Sequence, residues 1–203
     1  PRFSGSSTTL NTGDELVDVG ETPLAYQIRK SNSHQLKATL ENWGIKADLA
    51  HLVDEEEAIL IKMKELLSKY KIVVMSGGVS KGKFDYIPEA LEKLGVKKLF
   101  HRVKQRPGKP FWFGVSPDGT RVFALPGNPV STFMCAHRYI NSWLKESLGQ
   151  SQDLPYAILG EDYTFKPDLT YYLQVKLNYQ QDGRIFAYPQ TGNGSGDHAN
   201  LST

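Results

Sequence analysis

The sequence of 203 residues holds one cysteine, Cys135. A single thiol excludes an internal disulfide and fits a reducing compartment. Long hydrophobic runs are also missing. The purely apolar stretches are a few residues long, far short of the ~20 needed to span a bilayer. The opening PRFSGSSTTLN is small and polar, with no charged start leading into an apolar signal region. No excess of one charge exists either. Twenty-four Lys and Arg face 22 Asp and Glu, for a net charge of +2. That balance gives no general reason to expect nucleic acid or a membrane surface as partner. The five histidines lack metal-ligand spacing, which argues against zinc. What remains is the composition of a globular protein, 39% hydrophobic and 23% charged. The length suits one large domain, or one medium domain and a small one.

Helical and strand-like stretches alternate from about Asn11 to Gly149. Leu36, Leu40 and Trp43 recur at helical spacing and predict a helix from about Ala25 to Trp43, ended by Gly44. IKADLAHLV reads as a strand. Asp54 is placed to cap EEEAILIKMKELLSKY, whose Ile59, Met63, Leu66 and Tyr70 share a face. KIVVMS is a continuous apolar run, as expected of a strand buried on both faces. Asp85 can cap YIPEALEKLG, with Pro88 tolerated in its first turn. KKLFHRV, PFWFGV and RVFALP are further strands, the last two joined by a turn at SPDGT. Asn128 caps a long helix, NPVSTFMCAHRYINSWLKESLG, with Pro129 at its first position. The alternation predicts an α/β fold, a mostly parallel sheet flanked by helices, over residues 1–149. Past the linker SQDLP the residues turn β-rich, with a hairpin signal at Asp182-Gly183. Residues 150–203 therefore read as a small β domain that stops early.

Ligands of open α/β sheets bind at the carboxyl ends of the strands. Three polar or glycine-rich loops fall there: Thr12-Gly13-Asp14-Glu15, Ser76 to Asp85, and Pro126-Gly127-Asn128-Pro129. A fourth segment, Arg106-Pro107-Gly108-Lys109-Pro110, is a stiff turn with two cations. Within the second loop, Gly77-x-x-x-x-Gly82-Lys83 has P-loop spacing, but Phe84 stands where a Mg²⁺-binding hydroxyl should follow. The helix start also falls at Asp85, after the Gly-Lys, so ATP hydrolysis is not expected. Gly77-Gly78 suits either a tight turn or a close approach of backbone amides to an anion. Asp85 suits either a helix cap or a Mg²⁺ ligand against phosphate oxygens. Arg106 and Lys109 suit solvated charges or anion ligands. Cys135, beside Phe133 and Met134, reads as core.

In order and spacing, TGDEL (residues 12–16), SGGVSKGKFD (76–85), RPGKP (106–110) and LPGNPVS (125–131) resemble the MoeA-type molybdopterin molybdenumtransferases. That family includes the E domain of gephyrin. Val79-Ser80 after the glycines separates the sequence from the MogA-type adenylyltransferases, which share the fold and usually carry Gly-Gly-Thr-Gly. The resemblance implies a Mg²⁺-dependent transferase that inserts molybdate into adenylylated molybdopterin and releases AMP. Carried over residue by residue, it implies that Asp14, Glu15 and Asp85 serve catalysis, with Asp14 and Asp85 managing Mg²⁺. Ser76, Gly77, Gly78 and Ser80 would hold phosphate groups. Arg106, Lys109, Pro126, Asn128, Pro129 and Ser131 would surround the molybdate oxyanion. A cytoplasmic homodimer is implied, with sites lined by both subunits.

The sequence departs from that pattern in three places. Family chains carry a large region before TGDEL that is not recognisable here, so the chain reads as a piece of something longer. An apolar strand normally leads into TGDEL, and GSSTTLN is a poor strand by composition. Thr170 and Gln174 stand where family members often place arginines. The alternative reading is a non-catalytic molybdopterin-binding or scaffold module on the same fold.

Overall fold

The computed structural model describes residues 5–13, 16–52, 55–78, 86–151 and 154–190. The chain first runs β1 Ser7–Thr12, β2 Leu16–Val17, β3 Ile28–Arg29, α1 Asn32–Asn42, β4 Ala47–Leu52, α2 Glu56–Lys69, β5 Ile72–Ser76 and α3 Tyr86–Lys93. It continues with β6 Lys97–His101, β7 Gln105–Arg106, β8 Trp112–Val115, β9 Arg121–Leu125, α4 Pro129–Cys135, a π turn Ala136–Ile140 and α5 Asn141–Ser147. The C-terminal part contributes β10 Ile158–Leu159, β11 Thr170–Tyr171, β12 Val175–Tyr179 and β13 Ile185–Pro189.

The main sheet has the order β4-β1-β5-β9-β8-β6. The first four strands are parallel, and β8 and β6 extend one side antiparallel. Side chains alternate across the sheet, so each buried strand feeds two cores. Val73 and Met75 of β5 join Ile59 and Met63 of α2 and Leu91 of α3. Ile72 and Val74 join Leu36 and Leu40 of α1 and Ile140 of the π turn. Helices therefore cover both faces, as the alternating pattern predicts. Among the described residues, no helix is long and apolar enough to cross a membrane.

Two expectations need correction. GSSTTLN, a poor strand by composition, supplies β1, which is buried along its whole length between β4 and β5. Its hydroxyls and amide are satisfied inside the protein. Ser7 Oγ donates to the Lys46 carbonyl at 2.8 Å, Thr9 Oγ1 to the Ser33 carbonyl at 3.2 Å, and Asn11 Nδ2 to Ser33 Oγ at 2.7 Å. Partnered in this way, a polar strand escapes the penalty of burying unpaired groups. The first helix, expected from about Ala25, begins at Asn32. Ile28 and Arg29 pair instead with Leu16 and Val17 as a short parallel ladder, which draws that segment out of the helix.

Smaller differences fall at helix ends. The N-cap position of α2 is Glu55, without a side-chain cap bond, while Asp54 lies outside the described residues. Asp85, the expected cap of α3, also lies outside them, directly before Tyr86. Asn128 caps α4 as expected, accepting from the Ser131 amide at 3.0 Å. The long helix after it is interrupted by the π turn, an insertion often found at functional sites.

In the C-terminal part, β12 and β13 form the antiparallel hairpin signalled by Asp182-Gly183, and β10 adds in parallel to β13. Gly183 adopts φ +85° in that turn, a conformation that favours glycine. β11 leaves this small sheet and pairs in parallel with β7, so Thr170 and Tyr171 lie alongside Gln105 and Arg106.

Candidate functional site

The chain leaves β1, β5 and β9 at the carboxyl ends of three adjacent parallel strands, where Gly77 lies between Thr12 and Gly127. The Gly77 amide donates to the Leu125 carbonyl at 3.1 Å. A side chain at Gly77 would bring a Cβ within 3.0 Å of Thr12 Oγ1, and one at Gly78 within 2.4 Å of Ile87 Cδ1. Both glycines hold positive φ, +95° and +67°. Backbone and strand ends thus come together more closely than any other residue would allow. Ser76 is 3% exposed, and its hydroxyl is engaged within the protein. It receives Asn32 Nδ2 at 2.7 Å and lies 3.4 Å from the Pro126 carbonyl. Asp14, Glu15 and Ser80, with Lys83 and Asp85, lie outside the described residues. Among the described residues, no cluster of His, Cys, Asp and Glu could hold a metal ion.

The start of α4 links this strand end to an open cleft of about 720 Å³. Thr132 Oγ1 donates to the Pro126 carbonyl at 2.5 Å, which fixes the helix against the β9 loop. Asn128 and Ser131 then face the cleft, and Arg106 joins them from the β7 turn. The structure therefore brings Arg106, Asn128 and Ser131 together. Lys109 does not line the cleft, although it belongs to the same turn. Pro126 is buried beneath, and Pro129 begins the helix.

The RPGKP turn is held from two sides. Gly108 packs so tightly on α4 that a Cβ there would lie 2.5 Å from Cys135 Sγ and 2.8 Å from Gln105 Nε2. On the other side, the Tyr172 amide donates to the Arg106 carbonyl at 2.9 Å, and the Thr170 amide to the Lys104 carbonyl at 2.9 Å. The Arg106–Pro107 peptide is cis.

The cleft also takes in residues that the motifs do not include. Arg138 and Lys145 come from the helix, and Tyr171, Tyr172 and Gln174 from the C-terminal part. With Arg106 this makes three cations and no carboxylate among the described lining residues. Such a wall attracts anions. Ser131, Arg138, Ser142 and Lys145 recur at helical spacing, so the helical period of the sequence carried a signal for this face. Asn32 and Tyr172 had no such signal. His137 rests against Phe133 and Trp43, with ring centroids 4.2 and 5.1 Å away. Burial pushes its pKa below the usual histidine value.

The family described as "Probable molybdopterin binding domain" matches residues 8–146. Over 196 residues the chain is 40% identical to a molybdopterin molybdenumtransferase of Synechocystis sp., covering 95% of this chain and 48% of that protein. It is 30% identical over 182 residues to the molybdopterin molybdenumtransferase of Staphylococcus aureus, covering 88% of this chain and 43% of that one. The chain thus spans about half the length of these relatives. A crystal structure of the molybdopterin biosynthesis moeA protein from Pyrococcus horikoshii OT3 matches with a TM-score of 0.73 at 22% identity. That match covers 98% of this chain and 47% of the other and identifies the same fold.

Proposed function

This chain belongs to the molybdopterin-binding domain family, and on that premise we propose that it acts in molybdenum cofactor biosynthesis as a molybdopterin molybdenumtransferase. The observation that carries the reading is the junction of two features. A glycine-built strand end for phosphate adjoins a cationic cleft that takes in Arg106, Asn128 and Ser131. Adenylylated molybdopterin would lay its phosphates on the Gly77-Gly78 backbone and Ser80. Molybdate, a tetrahedral dianion, would sit against Arg106 and Ser131, where a planar fork of donors and a hydroxyl meet. Mg²⁺ would be held by Asp14 and Asp85 and would offset charge on the adenylyl phosphate. Few carboxylates are needed for that task, because Mg²⁺ usually keeps water and substrate phosphate as its remaining ligands. Ser76 contributes by tying the loops together, since its hydroxyl is turned inward. A homodimer completes the proposed arrangement.

The assay is molybdate-dependent release of AMP from adenylylated molybdopterin. The wild type is expected to turn over, and Asp85→Asn to lose turnover while keeping its fold, because Asn caps a helix nearly as well as Asp. ATP is expected to remain unhydrolysed. Tight binding of the substrate without AMP release would favour the non-catalytic binding module.

A further inference from the structure

A hydrogen-bonded chain from Tyr139 through Gln105 reaches the turn that carries Arg106, and Arg138, the neighbour of Tyr139, is held by Tyr172. Arg138 Nε donates to the Tyr172 hydroxyl at 3.3 Å, and its guanidinium lies 5.9 Å from the Tyr172 ring centre. The Tyr139 hydroxyl donates to Gln105 Oε1. Burial first, and then a hydrogen bond with the Tyr172 hydroxyl, pushes the Tyr139 phenol above its ordinary pKa, so it stays a donor at neutral pH. Arg138 thus donates to Tyr172, and Tyr139, the next residue, donates to Gln105. Gln105 is 1% exposed and continues the chain, with Nε2 3.4 Å from the Gly108 carbonyl and 3.7 Å from Cys135 Sγ. Arg106 is the next residue, and Gly108 closes its turn.

The π turn makes this possible. It carries His137, Arg138 and Tyr139 in succession, and the three go to different places. His137 packs on Phe133, Arg138 reaches Tyr172 on the cleft wall, and Tyr139 stacks on Phe111 at 4.6 Å while its hydroxyl meets Gln105.

We propose that Tyr139 is a positioning residue that holds Arg106 and Arg138 as a pair spaced for a dianion. The proposal rests on the reading that the Arg106 side of the cleft takes an oxyanion. Arg138 is held here by a hydroxyl and not by a carboxylate. The groups that hold Arg138 and the residue beside Arg106 are a neutral hydroxyl and a neutral amide, which leave the positive charge available to a ligand. Loss of the Tyr139 hydroxyl would release Gln105, the neighbour of Arg106, and leave the ring stacked on Phe111.

The experiment compares wild type, Tyr139→Phe and Tyr172→Phe by titration calorimetry with molybdate, a dianion, and perrhenate, a tetrahedral monoanion. Amide hydrogen exchange is followed in parallel. Each variant is expected to bind molybdate about two- to tenfold more weakly, the worth of one neutral hydrogen bond. Perrhenate affinity should change less, so the molybdate-to-perrhenate ratio falls. Exchange should quicken in residues 105–109 and stay unchanged in β5 and β9. A merely structural role would move melting temperature without moving the ratio. An unchanged ratio in both variants, with wild type binding molybdate, overturns the positioning role alone. Failure of wild type to bind molybdate overturns the oxyanion reading and the positioning role with it.

Discussion

Asn32 Nδ2 donates to Ser76 Oγ at 2.7 Å and to the Gly127 carbonyl at 2.8 Å. One side chain at the start of α1 thereby joins the end of β5 to the loop after β9. Its Oδ1 is buried and unpartnered, so the amide is held by what it donates. Asn32→Ala is expected to cost about 1–3 kcal/mol, because it leaves Ser76 and Gly127 without their donor. Urea denaturation measures this directly. Asn32→Asp should be at least as harmful, since a carboxylate cannot donate to either acceptor. A variant as stable as wild type would mean that the two segments hold each other without the clamp.

Arg106 and Lys109 stand three residues apart in one stiff turn but face different surroundings. Arg106 lines the cleft, and Lys109 does not. Arg106→Ala is expected to weaken molybdate binding roughly ten- to a hundredfold, the worth of a charged hydrogen bond. Lys109→Ala should change it by less than threefold or so, as expected of an exposed charge screened by solvent. Titration calorimetry on both variants checks the contrast. Equal losses would move the anion to the outer side of the turn.

Gly108 has φ +88° and a neighbour where its Cβ would stand. Gly108→Ala is therefore expected to cost about 2–5 kcal/mol, from the left-handed backbone and from overpacking on Cys135 together. Gly119, at φ +80° with nothing within 4 Å, bears only the first of these. Gly119→Ala should cost about 1–2 kcal/mol. The difference between the two variants, read from denaturation midpoints, isolates the packing of the RPGKP turn on α4.

Much of this architecture was legible because it is local. KIVVMS announced β5 through its apolar run, and Ile59, Met63, Leu66 and Tyr70 announced α2 through their spacing. The Asn128 cap and the four loop motifs were equally readable, since each lies within ten residues. Strand β1 was hidden because Ser7, Thr8, Thr9 and Asn11 are buried as partnered polar groups, which hydrophobicity does not register. The start of α1 was misplaced because Ile28 and Arg29 answer to β2 rather than to the helix after them. The site's supports escaped for a similar reason. Asn32 meets Ser76 across 44 residues and Gly127 across 95, and Arg138 meets Tyr172 across 34. Nothing in the spacing of a single sequence records such pairs.

Cys135 gives the last prediction, because it sits where the helix, Gln105 and Gly108 meet. Burial pushes its thiol up to about 12, and the hydrogen bond from Gln105 pulls weakly the other way. At pH 8 the native thiolate fraction is about one in ten thousand, and only the thiolate attacks disulfide reagents. Labelling should therefore be slow in native buffer and complete in urea. The same shift has a consequence for stability. The unfolded thiol titrates near its ordinary value of 9.0, so above that pH the folded state binds more protons than the unfolded state. Stability from this group is fully present below about pH 9 and declines as pH rises toward 12. Cys135→Ala should be less stable at neutral pH, through the lost packing, yet show a shallower decline between pH 9 and 10.5. Tyr139, also raised by burial, leaves a residual slope in that variant. Rapid stoichiometric labelling of native protein at pH 8 would show instead that α4 lifts readily from the RPGKP turn, and the cleft wall would then be a moving part.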